Sequence, residues 1–180
     1  LTSAVMLMSI FAITGLIVAL PAGLLLPRFG LKTTGLLASG CLLAGSVIGA
    51  VSSNYGLLFA SRLLEGTGMG LIAVVGPSAL SAWFPPERRG LPMGIWATWV
   101  SLGSLLIYYV APVVSADAGW QAVWWVSAGL TAIAILLFTL FFRMPPGQND
   151  SQTITRAITS AAVWKAISRP GLWKLALAFG

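Results

Sequence analysis

The sequence predicts an all-α membrane protein, a polytopic bundle of five spanning helices followed by the start of a sixth. Composition is the first observation, because hydrophobic residues make up 58% of the chain and charged residues 8%, against roughly 25% charged residues in soluble domains. The second observation is the spacing of the charges, which leaves five long apolar runs before residue 143. Each run reaches the length of about 20 residues that crosses a bilayer as a helix.

The third observation is the placement of the basic residues. Once the runs are folded back and forth, every lysine and arginine outside them falls on one side, in the connections at 27–33, 84–91 and from 143 onward. The connections at 52–56 and 115–119 hold none. Basic residues in short loops stay cytoplasmic, so residue 1 is expected near the outer face. The formal charge of +6 belongs to membrane-flanking loops, which argues against nucleic acid as a partner.

Glycine, proline and polar residues predict the ends of the first three helices. The first is expected over about 3–26, where Pro27 and Gly30 break the chain. The second follows over about 33–52 and ends in a short polar turn on the outer side. The third, over about 57–82, is interrupted in mid-span by Gly76 and Pro77, which permit either a passive kink or a moving hinge.

The remaining helices are delimited in the same way. The fourth is expected over about 90–114, with Pro112 near its outer end, and the fifth over about 120–142. Two glycine pairs have the four-residue spacing that lets helices pack closely in lipid: Gly45 with Gly49, and Gly66 with Gly70. Tryptophans fall at predicted segment ends, where indole rings favour the membrane interface: Trp83, Trp120, Trp124 and Trp173.

The residue types that are missing or scarce restrict the chemistry. The chain has no histidine, and Cys41 is its only cysteine, so imidazole ligands, serine–histidine nucleophile pairs and a disulfide framework are excluded. Four carboxylates offer an enzyme almost no clustered acids or ligands. We therefore expect no catalytic residue, no cofactor and no metal. A membrane-embedded structural subunit, or an enzyme without histidine chemistry, is the alternative to a transporter.

The connection at 23–32 resembles the cytoplasmic signature loop of the major facilitator superfamily, G-x-x-x-D-R-x-G-R-K. Four positions match: Gly23, Arg28, Gly30 and Lys32. Pro27 replaces the acid of that pattern and Leu31 its second arginine. In the family this loop joins the second and third of twelve helices, so the resemblance implies that the chain is a fragment lacking the first helix.

Later segments continue the resemblance in the expected order. One set is similar to the fourth-helix pattern l-x-x-x-R-x-x-x-G-x-G of the family: Leu58, Arg62, Gly66 and Gly68. Residues 85–90, with Arg88 and Arg89, resemble its loop between the fourth and fifth helices, and Gly119–Trp120 resembles the start of its sixth helix. The fifth-helix pattern of many antiporters is poorly matched over 107–116, which weakens an assignment to drug–proton antiport.

The resemblance implies three regions and a function. Residues 1–143 would form the N-terminal helix bundle, 144–169 the cytoplasmic linker between halves, and 170–180 the start of the C-terminal bundle. The protein would be a multi-pass secondary active transporter of a small solute, working by alternating access in a cell membrane, the inner membrane if bacterial. Its partners would be that solute, a coupling proton or sodium ion and the lipid bilayer. The loop at 23–32 is expected to control the conformational cycle.

Arg62 and Glu65 are the ionisable pair predicted inside the hydrocarbon layer. An intramembrane charge costs a few kcal/mol, so it normally faces protein or water and marks function. Three residues apart on a helix, the two side chains share a face and can pair. They either neutralise one another at a helix contact, or line a central cavity where Arg62 attracts an anionic substrate and Glu65 tunes it or carries a proton. We favour the second interpretation.

Overall fold

The computed structural model describes the backbone of residues 2–143 and the side chains from residue 5 onward. This part is helical: α1 (Thr2–Ala50), α2 (Tyr55–Trp83), a 3₁₀ turn (Pro86–Arg88), α3 (Gly90–Ala97), α4 (Trp99–Ala118) and α5 (Trp120–Phe141). By length and composition, four segments of it could cross a membrane: Val5–Ala50, Tyr55–Trp83, Gly90–Ala118 and Trp120–Phe141. The predicted linker at 144–169 and the predicted second bundle at 170–180 lie outside the described residues.

The long segment α1 consists of two arms that meet at Gly30. Gly30 has φ 77° and ψ 163°, a backbone conformation that glycine adopts far more readily than other residues. Its carbonyl accepts a hydrogen bond from the Thr34 hydroxyl at 2.8 Å. We call residues 2–29 the first arm and residues 31–50 the second arm.

Of the two residues predicted to break the first helix, Gly30 does so and Pro27 does not, and the predicted loop up to residue 33 is wrong. The first arm remains helical through Pro21 and Pro27, and helical backbone resumes immediately after Gly30. A proline removes one backbone hydrogen bond, and helices in membranes tolerate that loss where neighbouring groups satisfy the freed carbonyl. The positive φ of Gly30, and not the proline, separates the arms.

The two arms pack side by side along α2, running in opposite directions. Gly66 and Gly70 of α2 lie against Phe11 and Gly15 of the first arm respectively, so the first arm runs parallel to α2. Conversely, the second arm meets Gly68 of α2 through Ala38 and Leu42, and meets Ser61 through Gly45. The second arm therefore runs antiparallel to α2, and the chain reverses at Gly30.

Buried side chains join these arms to α2 and α5. Ala22, Ala38 and Leu71 form one apolar cluster, which bridges the first arm, the second arm and α2. On α5, Phe138 lies against Gly35 and Trp124 against Gly49, so α5 runs antiparallel to the second arm. The four-residue glycine spacing at 45 and 49 thus serves helix packing, as the sequence predicted.

A second apolar cluster identifies one end of the bundle. Leu26, Leu31 and Val75 form it, and Ala82 and Phe142 pack against it. The connections that carry basic residues are therefore at the same end: residues 27–32, 84–89 and 142–143. The turn at 51–54 and the start of α5 lie at the other end, where Trp124 meets Gly49. This is the alternation of ends that the charge pattern predicts.

The fourth predicted helix differs in detail from the expectation. It is divided at Thr98 into α3 and α4, and α4 continues past Pro112 to Ala118 instead of ending near residue 114. Pro112 does not interrupt α4, because the loss of a single backbone hydrogen bond does not stop a helix in lipid. The turn that follows is made by Gly119, whose φ is 78°, and α5 begins at Trp120 as expected.

Candidate functional site

Arg62 and Glu65 form an ion pair on α2, close to the end opposite the basic connections. Arg62 Nη1 lies 3.0 Å from Glu65 Oε2, which is the distance of a charge-assisted hydrogen bond. The side chain of Glu65 is 11% exposed and that of Arg62 is 27% exposed. Within the described ranges this is the only salt bridge, so the pairing predicted from the sequence is present.

The second arm supplies another partner for the carboxylate. The Ser46 hydroxyl donates a hydrogen bond of 2.9 Å to Glu65 Oε1, so each carboxylate oxygen has its own donor. Gly45 permits this approach, because a Cβ at that position would lie 2.5 Å from Glu65 Cγ and 2.9 Å from the Ser61 carbonyl oxygen. Glu65 is therefore held between two helices, and its position depends on the lack of a side chain at residue 45.

Trp124 of α5 supplies the third side of the site. Arg62 Cζ lies 4.0 Å from the centroid of its ring, within the range in which an aromatic face attracts a guanidinium cation. The indole also rests on Gly49 of the second arm, where a Cβ would overlap the ring. We call Ser46, Arg62, Glu65 and Trp124 the Arg62 cluster.

Sequence reasoning missed two members of this cluster. Trp124 was assigned only to the membrane interface, and Ser46 was not singled out. Neither residue could be found from spacing within one helix, because both lie on other helical segments. The contact of Arg62 with Trp124 depends on the rotation of α5 about its axis, which the sequence does not specify. The one local signal is the glycine pair, Gly45 and Gly49, which places the second arm close to both α2 and α5.

The Arg62 cluster can bind but offers little to catalysis. It contains one cation and one anion, and the carboxylate has both oxygens occupied by Ser46 and Arg62. A guanidinium has five N–H donors in a planar fork. Among the described residues Glu65 is the ion-pair partner of Arg62, through one terminal nitrogen of the guanidinium. In the same described part no three His, Cys, Asp or Glu side chains could hold a metal ion.

The residues expected to form a gating loop lie at the opposite end of the bundle. Gly30 is buried at the reversal between the arms, whereas Arg28 and Lys32 are exposed. Gly23 has open space where a Cβ would be, so the packing here places no steric demand on it. The structure does not bring these residues together with the Arg62 cluster.

The other predicted positions have local structural roles. α2 continues through Gly76 and Pro77, and the ring of Trp96 from α3 occupies the space beside Gly76. Arg88 is exposed on the 3₁₀ turn. Arg89 donates hydrogen bonds to the carbonyl oxygens of Phe84 at 2.8 Å and Ser81 at 2.7 Å, so it caps the C-terminal end of α2.

Comparison with known proteins agrees with this architecture. Over 136 residues the chain is 32% identical to the methylenomycin A resistance protein of Bacillus subtilis, covering 75% of this chain and 29% of that protein. Over 118 residues it is 32% identical to an uncharacterised MFS-type transporter of Mycobacterium tuberculosis, covering 66% and 20%. A sugar transport protein of Oryza sativa is 27% identical over 159 residues, covering 81% and 30%. The chain thus spans about a fifth to a third of the length of these relatives.

A solved structure and a family model extend the comparison. The crystal structure of a peptide transporter in complex with alafosfalin superposes with a TM-score of 0.72, covering 96% of this chain and 36% of that one. Their sequence identity is 19%, so this likeness concerns the fold alone. The model of the Major Facilitator Superfamily matches residues 1–180. With its bundle of long apolar helices, the chain belongs to the major facilitator superfamily.

Proposed function

We propose that this chain is most of the N-terminal half of a secondary active transporter that moves a small solute by alternating access. The observation that carries the proposal is the family match over the whole chain, on a bundle whose basic connections share one end. The two arms of α1, then α2, then α3 with α4, and finally α5 supply five passes. These correspond to the second to sixth of twelve helices, with residue 144 onward leading into the second half.

The proposed location is a cell membrane, with the basic end in the cytoplasm. Two of the relatives described above come from bacteria, which favours the bacterial inner membrane. A membrane-embedded structural subunit or enzyme is the alternative class. Against an enzyme, the described residues hold three carboxylates, Glu65, Glu87 and Asp117, of which only Glu65 is buried. Ser46 and Arg62 already lie against its two oxygens.

Within this transporter we assign Arg62 to the recognition of an anionic substrate group and Glu65 to coupling. Arg62 is partly exposed and uses one edge for Glu65, which leaves donors of the fork for a carboxylate or similar anion. Glu65 is the buried carboxylate among the described residues, so we assign to it the carrying of a proton or the response to a sodium ion. The relatives' names mention an antibiotic and sugars, so they favour no single substrate class.

A purely structural role for the pair is the rival interpretation. Ser46 and Trp124 complete the surroundings of Glu65 and Arg62, and such a neutral cluster could serve only to join three helical segments. The rival predicts that removing both charges together leaves transport intact. The substrate role predicts that it does not.

At the basic end we assign control of the conformational cycle to residues 23–32, around the reversal at Gly30, and a hinge to Gly76 and Pro77. Gly30 is the point at which the two arms reverse, and Arg28 and Lys32 are exposed beside it. Trp96 packs on Gly76 without a side chain between them, so bending of α2 there would move α3. Arg88 and Arg89 mark the same cytoplasmic end.

Transport by the full-length protein in proteoliposomes tests the proposal. Radiolabelled benzoate, succinate, glucose and tetraphenylphosphonium would be offered under an imposed proton or sodium gradient. We expect gradient-driven uptake of an anion, with Arg62→Lys impaired and Arg62→Ala reduced by roughly 10- to 100-fold, since hydrogen bonds to charged groups contribute about 1.5–3 kcal/mol. Full uptake by a folded Arg62→Ala, Glu65→Ala double variant would end the substrate role. Uptake of glucose or tetraphenylphosphonium alone would end the assignment to an anion.

A further inference from the structure

We propose that Trp124 is a positioning residue for Arg62, holding the guanidinium plane so that its free edge meets a planar carboxylate. The inference rests on the proposed function of Arg62. It goes beyond that function because it names the aromatic surface that orients the arginine, and with it the geometry of the anion that the site prefers.

The contacts of Arg62 define which part of it remains available. Glu65 Oε2 takes Nη1 at 3.0 Å, along one edge of the planar group. Arg62 Cζ lies over the ring of Trp124, 4.0 Å from the ring centroid. A carboxylate that binds in the guanidinium plane, at the edge away from Glu65, can accept two parallel hydrogen bonds from the fork.

The indole can impose this orientation because its own position is fixed. Gly49 of the second arm lies directly against the ring, with no room for a Cβ between them. Nearby, Gly45 brings the same arm against Glu65, whose Oε1 is bonded to Ser46. One helical arm thus supports both partners of Arg62. A long side chain that would otherwise sample many rotamers is restricted to one arrangement, which lowers the entropic cost of binding an anion.

A packing role for Trp124 makes a different prediction. If the indole only fills space between α5 and the second arm, then its replacement lowers thermal stability and affects charged and neutral ligands equally. If it positions Arg62, its replacement weakens carboxylate binding selectively, and the effect disappears when Arg62 is absent. A double-mutant cycle separates these cases.

The experiment measures equilibrium binding of benzoate to the purified full-length protein, with benzyl alcohol as the uncharged probe of similar shape. The variants are Trp124→Leu, Trp124→Phe, Arg62→Ala and the Trp124→Leu, Arg62→Ala double variant. Trp125→Leu is the matched control, because Trp125 is the neighbouring indole on α5 and is exposed. The melting temperature of each variant is recorded alongside.

We expect Trp124→Leu to raise the benzoate Kd about tenfold, in the range of a partly desolvated cation–π contact. Trp124→Phe keeps an aromatic face and should restore most of the affinity, which also keeps the test decisive if the Leu variant folds poorly. Trp125→Leu should bind as the unmodified protein does. In the Arg62→Ala background, Trp124→Leu should cause no further loss of benzoate binding. The Kd for benzyl alcohol should be the same in all variants.

Four results would overturn the proposal. Unchanged benzoate affinity in Trp124→Leu, with affinity lost in Arg62→Ala, would refute the positioning role and leave the proposed function of Arg62 standing. An equal loss for benzoate and benzyl alcohol would assign Trp124 to packing. Benzoate binding that survives Arg62→Ala, or no saturable binding by the unmodified protein up to the solubility of benzoate, would remove the anion site itself. Whether the protein transports other solutes would then be decided by the uptake experiment in proteoliposomes.

Discussion

Glu65 lies between α2 and the second arm with a partner at each carboxylate oxygen, Ser46 on one side and Arg62 on the other. Removing one member of a buried pair is costly, since the remaining charge stays buried without its partner. The cost is moderated here by the partial exposure of Arg62. Removing either charge alone should therefore lower the stability of the protein more than removing both.

Glu65→Gln is the sharpest residue-scale test of this arrangement. The amide keeps the volume and one acceptor for Ser46, but it turns its NH₂ toward Arg62 and leaves the guanidinium without a counter-charge. We expect a loss of about 1–3 kcal/mol, measured as a lower melting temperature in detergent. Ser46→Ala, which removes one hydrogen bond but no charge, should cost about 1 kcal/mol. A Glu65→Gln protein as stable as Ser46→Ala would contradict the electrostatic account.

At the scale of elements, the glycines determine how closely the second arm approaches α2. Gly45 contacts Glu65 and the Ser61 carbonyl, whereas Gly40, on the same arm, has open space in place of a side chain. Gly45→Ala should therefore destabilise the bundle by about 1–3 kcal/mol through overpacking. Gly40→Ala should be neutral or stabilising by up to about 1 kcal/mol, because alanine favours the helix.

The Gly45 and Gly40 variants would be compared by thermal unfolding of the same preparation. Equal melting temperatures would mean that the second arm can move away from α2 without cost. Gly45→Ala should also disturb the Arg62 cluster, since the added methyl group meets the Glu65 side chain. A Gly45→Ala variant with an unchanged melting temperature but altered solute transport would show that close packing at residue 45 matters for the Arg62 cluster and not for the stability of the bundle.

The reversal at Gly30 gives a second element-scale prediction. A residue with a Cβ at φ 77° and ψ 163° is strained by about 1–3 kcal/mol. If the loop at 23–32 governs the conformational cycle, Gly30→Ala should slow transport while equilibrium binding of the solute stays nearly unchanged. Gly23→Ala is the control, because Gly23 lies in the helical first arm and has open space where a Cβ would be. Loss of binding in a folded Gly30→Ala protein would contradict the gating role.

The sequence predicted the helices well because a membrane imposes their length, and the break between arms because Gly30 tolerates a positive φ. It counted Pro27 with Gly30 as breaking the first helix, although proline is a weaker helix breaker in lipid than in water. It also ended the fourth predicted helix at about residue 114, whereas α4 ends at Ala118. The pairing of Arg62 with Glu65 followed from local spacing. The contacts with Ser46 and Trp124 did not, because they depend on how α5 and the second arm rotate against α2.

On the scale of the whole molecule, two apolar contacts show at which end of the bundle each connection between the described helices lies. The cluster around Leu26 and Phe142 joins the connections with basic residues, and the contact of Gly49 with Trp124 joins those without. The bundle is therefore electrically polarised along the membrane normal. This polarity, and not the net charge, predicts the orientation in the membrane, since positive loops are generally retained in the cytoplasm.

The orientation is tested by single cysteines in a Cys41→Ser background, probed on intact cells with an impermeant thiol reagent. Ser53→Cys and Ala118→Cys, in connections without basic residues, should be labelled from outside. Lys32→Cys and Arg89→Cys, at the basic end, should be labelled only after the membrane is permeabilised. Lys32 and Arg89 are each one of several basic residues at that end, so a single replacement should leave the topology unchanged. Labelling of intact cells at position 89 but not at position 53 would show that the bundle has the opposite orientation in the membrane. It would also place the Arg62 cluster, which lies near the Gly49–Trp124 contact, toward the cytoplasm instead of the outer face.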